Sequence, residues 1–219
     1  MNLTLFDEYD LRARISVWII LIAPVIIPLY IISNSVRSLS ATALILITLI
    51  ALSNLFIVKI REIAKDKYDI KHEYIKIYFN QHLSKEALNI ILKKIESINC
   101  DLARILEDRN SDKYDEALDI VLAIIKKDVR DNKLVYGENI QYGFCRNLYA
   151  VRLFGRCMSF IMVFVEVLLY YNDVIDEIST IVSVLISALF FILWFVFVKK
   201  NIVEFSANNY AEAFFDAFI

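Results

Sequence analysis

Four apolar stretches, at roughly 15–33, 39–58, 157–171 and 178–198, stand in two pairs near the ends of the chain. About a hundred residues rich in charge separate the pairs. At 1.5 Å rise per residue, about 20 residues cross a hydrocarbon core of ~30 Å. Three stretches reach or nearly reach that length, and the third does so if its helix begins upstream, near Leu148. The pattern predicts two transmembrane hairpins joined by a polar insert.

Within the insert the period changes to that of amphipathic helices. Ser84 is placed to cap a helix running to about residue 97, with Ala87, Ile90, Ile91 and Ile95 on one face. A second helix is expected after Asn110 or Ser111, where Tyr114, Leu118, Val121, Leu122, Ile125 and Val129 form an apolar stripe. Residues 68–79 suit a helix or a short strand equally, because Tyr74, Ile75, Ile77, Tyr78 and Phe79 fit either period. Beyond Lys200, Glu204, Asn208, Glu212 and Asp216 make a polar row at steps of four, and Tyr210, Phe214 and Phe218 an aromatic one. The acidic face disfavours adsorption to an anionic leaflet, so the tail is expected to pack on another part of the protein or on another protomer. The predicted fold is an all-α membrane protein with four transmembrane helices in two hairpins and a mainly helical cytoplasmic insert. Its parts are an N-terminal hairpin (1–58), a cytoplasmic domain (59–154), a C-terminal hairpin (155–198) and an amphipathic tail (199–219).

Composition agrees with that division. The chain is 58% hydrophobic yet 23% charged, which requires the charges to be segregated. Residues 59–154 hold 18 Lys/Arg and 16 Asp/Glu, a balance that argues against a nonspecific nucleic-acid binder. Arg12 and Arg14, then Lys59, Arg61, Lys65 and Lys67, then Arg146, Arg152 and Arg156, then Lys199 and Lys200 flank the spans on one side, against Arg37 on the other. Because cytoplasmic loops retain basic residues, both termini and the insert are predicted to face the cytoplasm. Acidic Asp7, Glu8 and Asp10 before the first stretch are unlike a cleaved signal peptide. Cys100, Cys145 and Cys157 show no ligand-like spacing and read as buried small hydrophobes, and His72 and His82 have no metal-binding companions. With no GxSxG, HExxH or P-loop, neither an enzyme nor a cofactor is expected, and no metal site is.

A few residues inside the spans are unlike their neighbours. Pro24 and Pro28 should kink the first helix, as a static bend or as a gating hinge. Ser179, Ser183 and Ser187 recur every four residues, which suits either a tight helix contact or the lining of a watery path. Thr42, Thr48, Ser53 and Asn54 are less well aligned in the second stretch. Glu166 is the ionisable residue well inside a span. It faces a pore or cavity, bonds a neighbouring helix through Ser183 or Thr180, or sits in a span offset toward the outer interface.

The block at 137–156 carries all three glycines, Gly137, Gly143 and Gly155, with aromatics interleaved among Arg146, Arg152 and Arg156. Arginine forks match phosphate oxygens, so Arg146, Asn147, Arg152 and Arg156 form a candidate nucleotide site, with Tyr142, Phe144 or Tyr149 to stack on a base. The competing reading is an arginine-rich membrane boundary that pairs with Glu138 and lipid headgroups. The pattern Glu138-Asn139-x-x-Tyr142-Gly143-Phe144-x-Arg146-Asn147-Leu148, preceded far upstream by Tyr9-Asp10-Leu11-Arg12-Ala13-Arg14, resembles small four-helix inner-membrane effectors of bacterial antiphage defence, of the type of the Hailong membrane subunit. That resemblance implies a homo-oligomeric ion channel or pore in the bacterial inner membrane. It further implies control by a cytoplasmic nucleotide or oligonucleotide and a nucleotidyltransferase partner. A non-conducting scaffold or accessory subunit is the alternative, and a small transporter a weaker one, since no internal repeat is visible.

Overall fold

The computed structural model describes residues 7–33 and 38–219; Arg37 and the side chains of Ser53 and Asn54 lie outside the described residues. Eleven α-helices follow one another among them, with no strand. They are α1 (Glu8–Asp10), α2 (Ser16–Ile32), α3 (Leu39–Tyr68), α4 (Lys71–Gln81), α5 (Lys85–Ile98) and α6 (Cys100–Glu107). After these come α7 (Tyr114–Asp128), α8 (Lys133–Ala150), α9 (Arg152–Tyr171), α10 (Glu177–Val196) and α11 (Lys200–Asp216). A π-helical stretch, Leu11–Ile15, joins α1 to α2, so the helical run extends without a break from Glu8 to Ile32. Among the described residues, that run, α9 and α10 are long and apolar enough to cross a membrane. The second apolar stretch lies within α3, a 30-residue helix that continues past it to Tyr68.

The chain divides into two compact units, one of residues 1–69 with 143–203, the other of 70–142 with 204–219. These borders differ from the expected ones at 58, 154 and 198 for a physical reason. Residues just outside the apolar stretches, Ile60, Leu148 and Val151, are buried in one cluster with Val17, Trp18, Leu21, Trp194 and Val198, and Ile202 packs against it, so they belong to the first unit. Trp18 also stacks on Phe56 at 3.8 Å between ring centres. The helix that holds the third apolar stretch begins at Arg152, after Val151 interrupts the helical run. α9 and α10 approach closely at Gly155: a Cβ there would stand 2.1 Å from Cε2 of Trp194. Pro24 and Pro28 are both buried, and α2 continues through them.

The second unit is a helical domain whose core draws on every helix it contains. Ile75 and Phe79 of α4, Ile91 and Ile95 of α5, and Ala103 and Leu106 of α6 pack with the apolar stripe of α7. The Tyr114, Leu118, Val121, Leu122, Ile125 and Val129 stripe is buried as its spacing requires. Ser84 caps α5 by accepting from the Ala87 N–H at 3.1 Å. Residues 71–81, ambiguous in sequence, are helical. The tail contributes Tyr210, Ala211, Phe214, Phe215 and Phe218 to the same core, so the partner of its aromatic row is its own chain. Lys94 reinforces that docking by donating to the carbonyls of Phe218 and Ile219 at the end of α11.

Candidate functional site

In the first unit, the apolar helices α9 and α10 enclose a small polar cluster. Glu166, Ser183 and Ser187 are each 0% exposed. Residues four apart share a helix face, which brings Ser183 and Ser187 onto one side of α10. Ser187 Oγ donates to Glu166 Oε1 at 2.8 Å. Glu166 Oε2 and Ser183 Oγ have no hydrogen-bond partner among the described residues. A buried polar atom without a partner costs about 1–3 kcal/mol, and a carboxyl group in an apolar span is costly beyond that. The cluster is therefore satisfied on one side and open on the other. Ser159 adds a neighbouring buried hydroxyl that is spent on the Gly155 carbonyl at 2.9 Å.

Ser179, the first residue of the serine row, has another task. Asp176 precedes α10 and caps it, accepting from the Ser179 N–H at 2.9 Å and from its hydroxyl at 2.8 Å. The Ser179 N–H, and after it the hydroxyl, hold the Asp176 carboxyl below the usual carboxylate range. Thr180 donates to the Asp176 carbonyl at 2.8 Å, so it is not bonded to Glu166.

The arginine-rich block is helical except at Val151, which divides it between α8 and α9. Each of its candidate ligand residues is held by a different partner. Arg146 is 6% exposed and pairs with Asp69, Nη1 to Oδ1 3.1 Å. The Asn147 amide donates to the Ala13 carbonyl at 2.8 Å. Arg152 lies over the Tyr149 ring at 3.7 Å and donates to the Tyr149 carbonyl at 3.0 Å and to the Tyr68 hydroxyl at 3.3 Å. Arg156 covers the Phe195 ring at 4.1 Å and donates to the Trp194 carbonyl. Phe144 packs against the cluster around Trp18 and Trp194. In the other unit, the Tyr142 hydroxyl accepts from the Ile70 N–H at 3.1 Å. Within this conformation the block fastens the chain to α2, to the end of α3 and to α10.

Sequence spacing foretold neither Asp69 as the counter-charge of Arg146 nor Trp194 as the surface against Gly155. Both are long-range contacts with no local pattern. Among the described residues no group of His, Cys, Asp and Glu is arranged to hold a metal. No family model matches the chain, and no curated protein or solved structure is similar enough to match it.

Proposed function

We propose that the protein is an oligomeric ion-conducting effector of a bacterial inner membrane. In this reading α2, α3, α9 and α10 span the bilayer, both termini and the helical domain face the cytoplasm, and a cytoplasmic nucleotide or oligonucleotide signal controls opening. The distribution of Lys and Arg at the span ends supports the orientation. The observation that carries the conducting role is Glu166, enclosed between two apolar helices with one oxygen bonded to Ser187 and the other unmatched. An ionisable group so placed marks an ion or proton path by default, because packing alone would select an apolar residue there. The enclosed cluster then corresponds to the shut state, and separation of α9 from α10 would wet it. The resemblance in residues 138–148 supports the antiphage setting and a nucleotidyltransferase partner.

The test is ion flux from liposomes containing the purified protein. Glu166→Gln keeps the shape and removes the charge; it is expected to change the flux by about tenfold or more, as is a bulky Ser183→Leu. Vesicles that stay ion-tight in every ligand condition would leave the second reading, a non-conducting scaffold. The complete burial of Glu166, Ser183 and Ser187 within one chain favours that reading, since a helix-to-helix contact needs nothing more.

A further inference from the structure

The helical domain contains a cavity of about 600 Å³, within the range of small-molecule sites. Four cationic side chains line it, Lys71 at the start of α4, Lys126 in the last turn of α7, Arg130 in the turn after it, and Lys133 at the start of α8, against a single carboxylate, Asp131. The domain as a whole, residues 70–142 with 204–219, holds 12 Lys/Arg against 16 Asp/Glu, so this convergence of cations is local. Lys126, Arg130 and Lys133 are exposed and make no ion pair among the described residues. Three other basic residues of the domain are engaged, Lys76 with Asp119, Arg109 with the Asn80 carbonyl and Lys94 with the carbonyls of Phe218 and Ile219. Lys126 lies in the last turn of α7, Arg130 in the turn that follows and Lys133 at the start of α8, so three successive elements bring these cations to one opening.

Lys71 is held on the more buried side of the cavity. Its Nζ donates to Asn139 Oδ1 at 2.9 Å and lies 4.6 Å from the centre of the Tyr210 ring, over its face. Burial raises the Tyr210 pKa, which keeps the phenol neutral beside it. One cation is thus oriented by the fold and three stand unengaged around the opening. Arg supplies a flat fork and Lys supplies point charges, a combination suited to phosphate oxygens.

We propose that this cavity binds a small phosphate-bearing anion through Lys71, Lys126, Arg130 and Lys133. The free anion and the phosphate of a lipid headgroup share this chemistry. As the control site of the effector proposed above, the cavity rests on that reading; as a binding site, it stands on its own lining.

Calorimetry on the full chain in detergent tests it with two probes, inorganic tripolyphosphate and a water-soluble short-chain phosphatidylglycerol. Either probe should bind, more weakly as salt rises. Arg130→Gln with Lys133→Gln should weaken that binding by about tenfold or more, and Asp131→Asn should strengthen it several-fold, with helicity and melting unchanged in both. Tripolyphosphate alone binding identifies a free anion, and the lipid alone a headgroup. No binding of either probe, or binding indifferent to these substitutions, overturns the proposal. Because the readout is heat of binding, ion-tight liposomes would defeat the conducting role and leave the cavity standing, whereas flux without probe binding would do the reverse.

Discussion

At the scale of single residues, the deciding quantity is what each buried polar or close-packed group would lose. Arg146 is nearly enclosed while Asp69 is exposed, so truncating the arginine empties a buried position and also removes its ion pair with Asp69. Arg146→Ala should therefore lower stability by about 1–3 kcal/mol, read as an earlier thermal transition in detergent, and Arg146→Lys should recover only part of it. Two of the three helical glycines offer a sharper contrast. A methyl at Gly155 meets the ring of Trp194, which is itself 1% exposed and has no room to retreat. A methyl at Gly143 meets chiefly the Tyr9 hydroxyl, the far end of a side chain. Gly155→Ala should cost about 1–3 kcal/mol and Gly143→Ala clearly less, by the same melting measurement. Equal shifts would mean that α9 and α10 do not approach as described. The residues of the candidate site were legible one by one, because Glu166 and the serines stand out in an apolar run. Their roles were not. Spacing puts Ser183 and Ser187 on one face but does not say whether Glu166 turns toward that face, and it gives no hint that Ser179 serves the Asp176 cap.

At the scale of helices, local patterns predict well where a cap and a stripe coincide, and poorly where either is weak. Ser84 and the stripe behind it are seen as α5, with Ile91 and Ile95 buried but Ile90 turned outward at 40% exposure. α6 went unforeseen, although Asn99 caps it by accepting from the N–H groups of Asp101 and Leu102, because eight residues are too few to show a period. The strand-like reading of 68–79 fails for another reason: Ile75 and Phe79, four apart, are its buried residues, and that is a helical interval. α4 and α7 are also tied on their solvent side, where Lys76 Nζ lies 2.6 Å and His72 Nε2 2.9 Å from Asp119 Oδ1. The hydrogen bond from Lys76 holds the Asp119 carboxyl below its ordinary 3.8. A carboxyl with a depressed folded value contributes its stability fully above the unfolded value and loses it as pH falls through the folded one. The tie is exposed, so its worth is under about 1 kcal/mol. Asp119→Asn should thus melt slightly earlier than the parent near neutrality, and the two should converge below pH 3.8. A gap that persists in acid would mean that Asp119 acts through something other than its charge.

At the scale of the whole molecule, the helical domain closes only when the chain has crossed its apolar segments and returned. Its core joins residues 70–142 to the tail from residue 204 onward. Phe215 shows what the tail supplies: it is 0% exposed, with ring centres of Phe214, Phe79 and Tyr78 at 5.2, 5.7 and 5.8 Å. Truncating a phenylalanine in such a place costs about 3–5 kcal/mol, a large part of the 5–15 kcal/mol that a domain commands. Phe215→Ala should expose α4 to α7 to trypsin, and deletion of residues 204–219 should do so more completely, while the apolar helices α9 and α10 stay protected in the micelle. The tail's aromatic row would serve equally well to bridge two protomers, and that alternative predicts a dependence on concentration. A tail folded onto its own chain predicts none. Digestion rates of the parent that stay constant over a hundredfold dilution in excess detergent would favour the internal core. Rates that rise on dilution would mean that the tail belongs to an oligomer, and that the domain is complete only in the assembly.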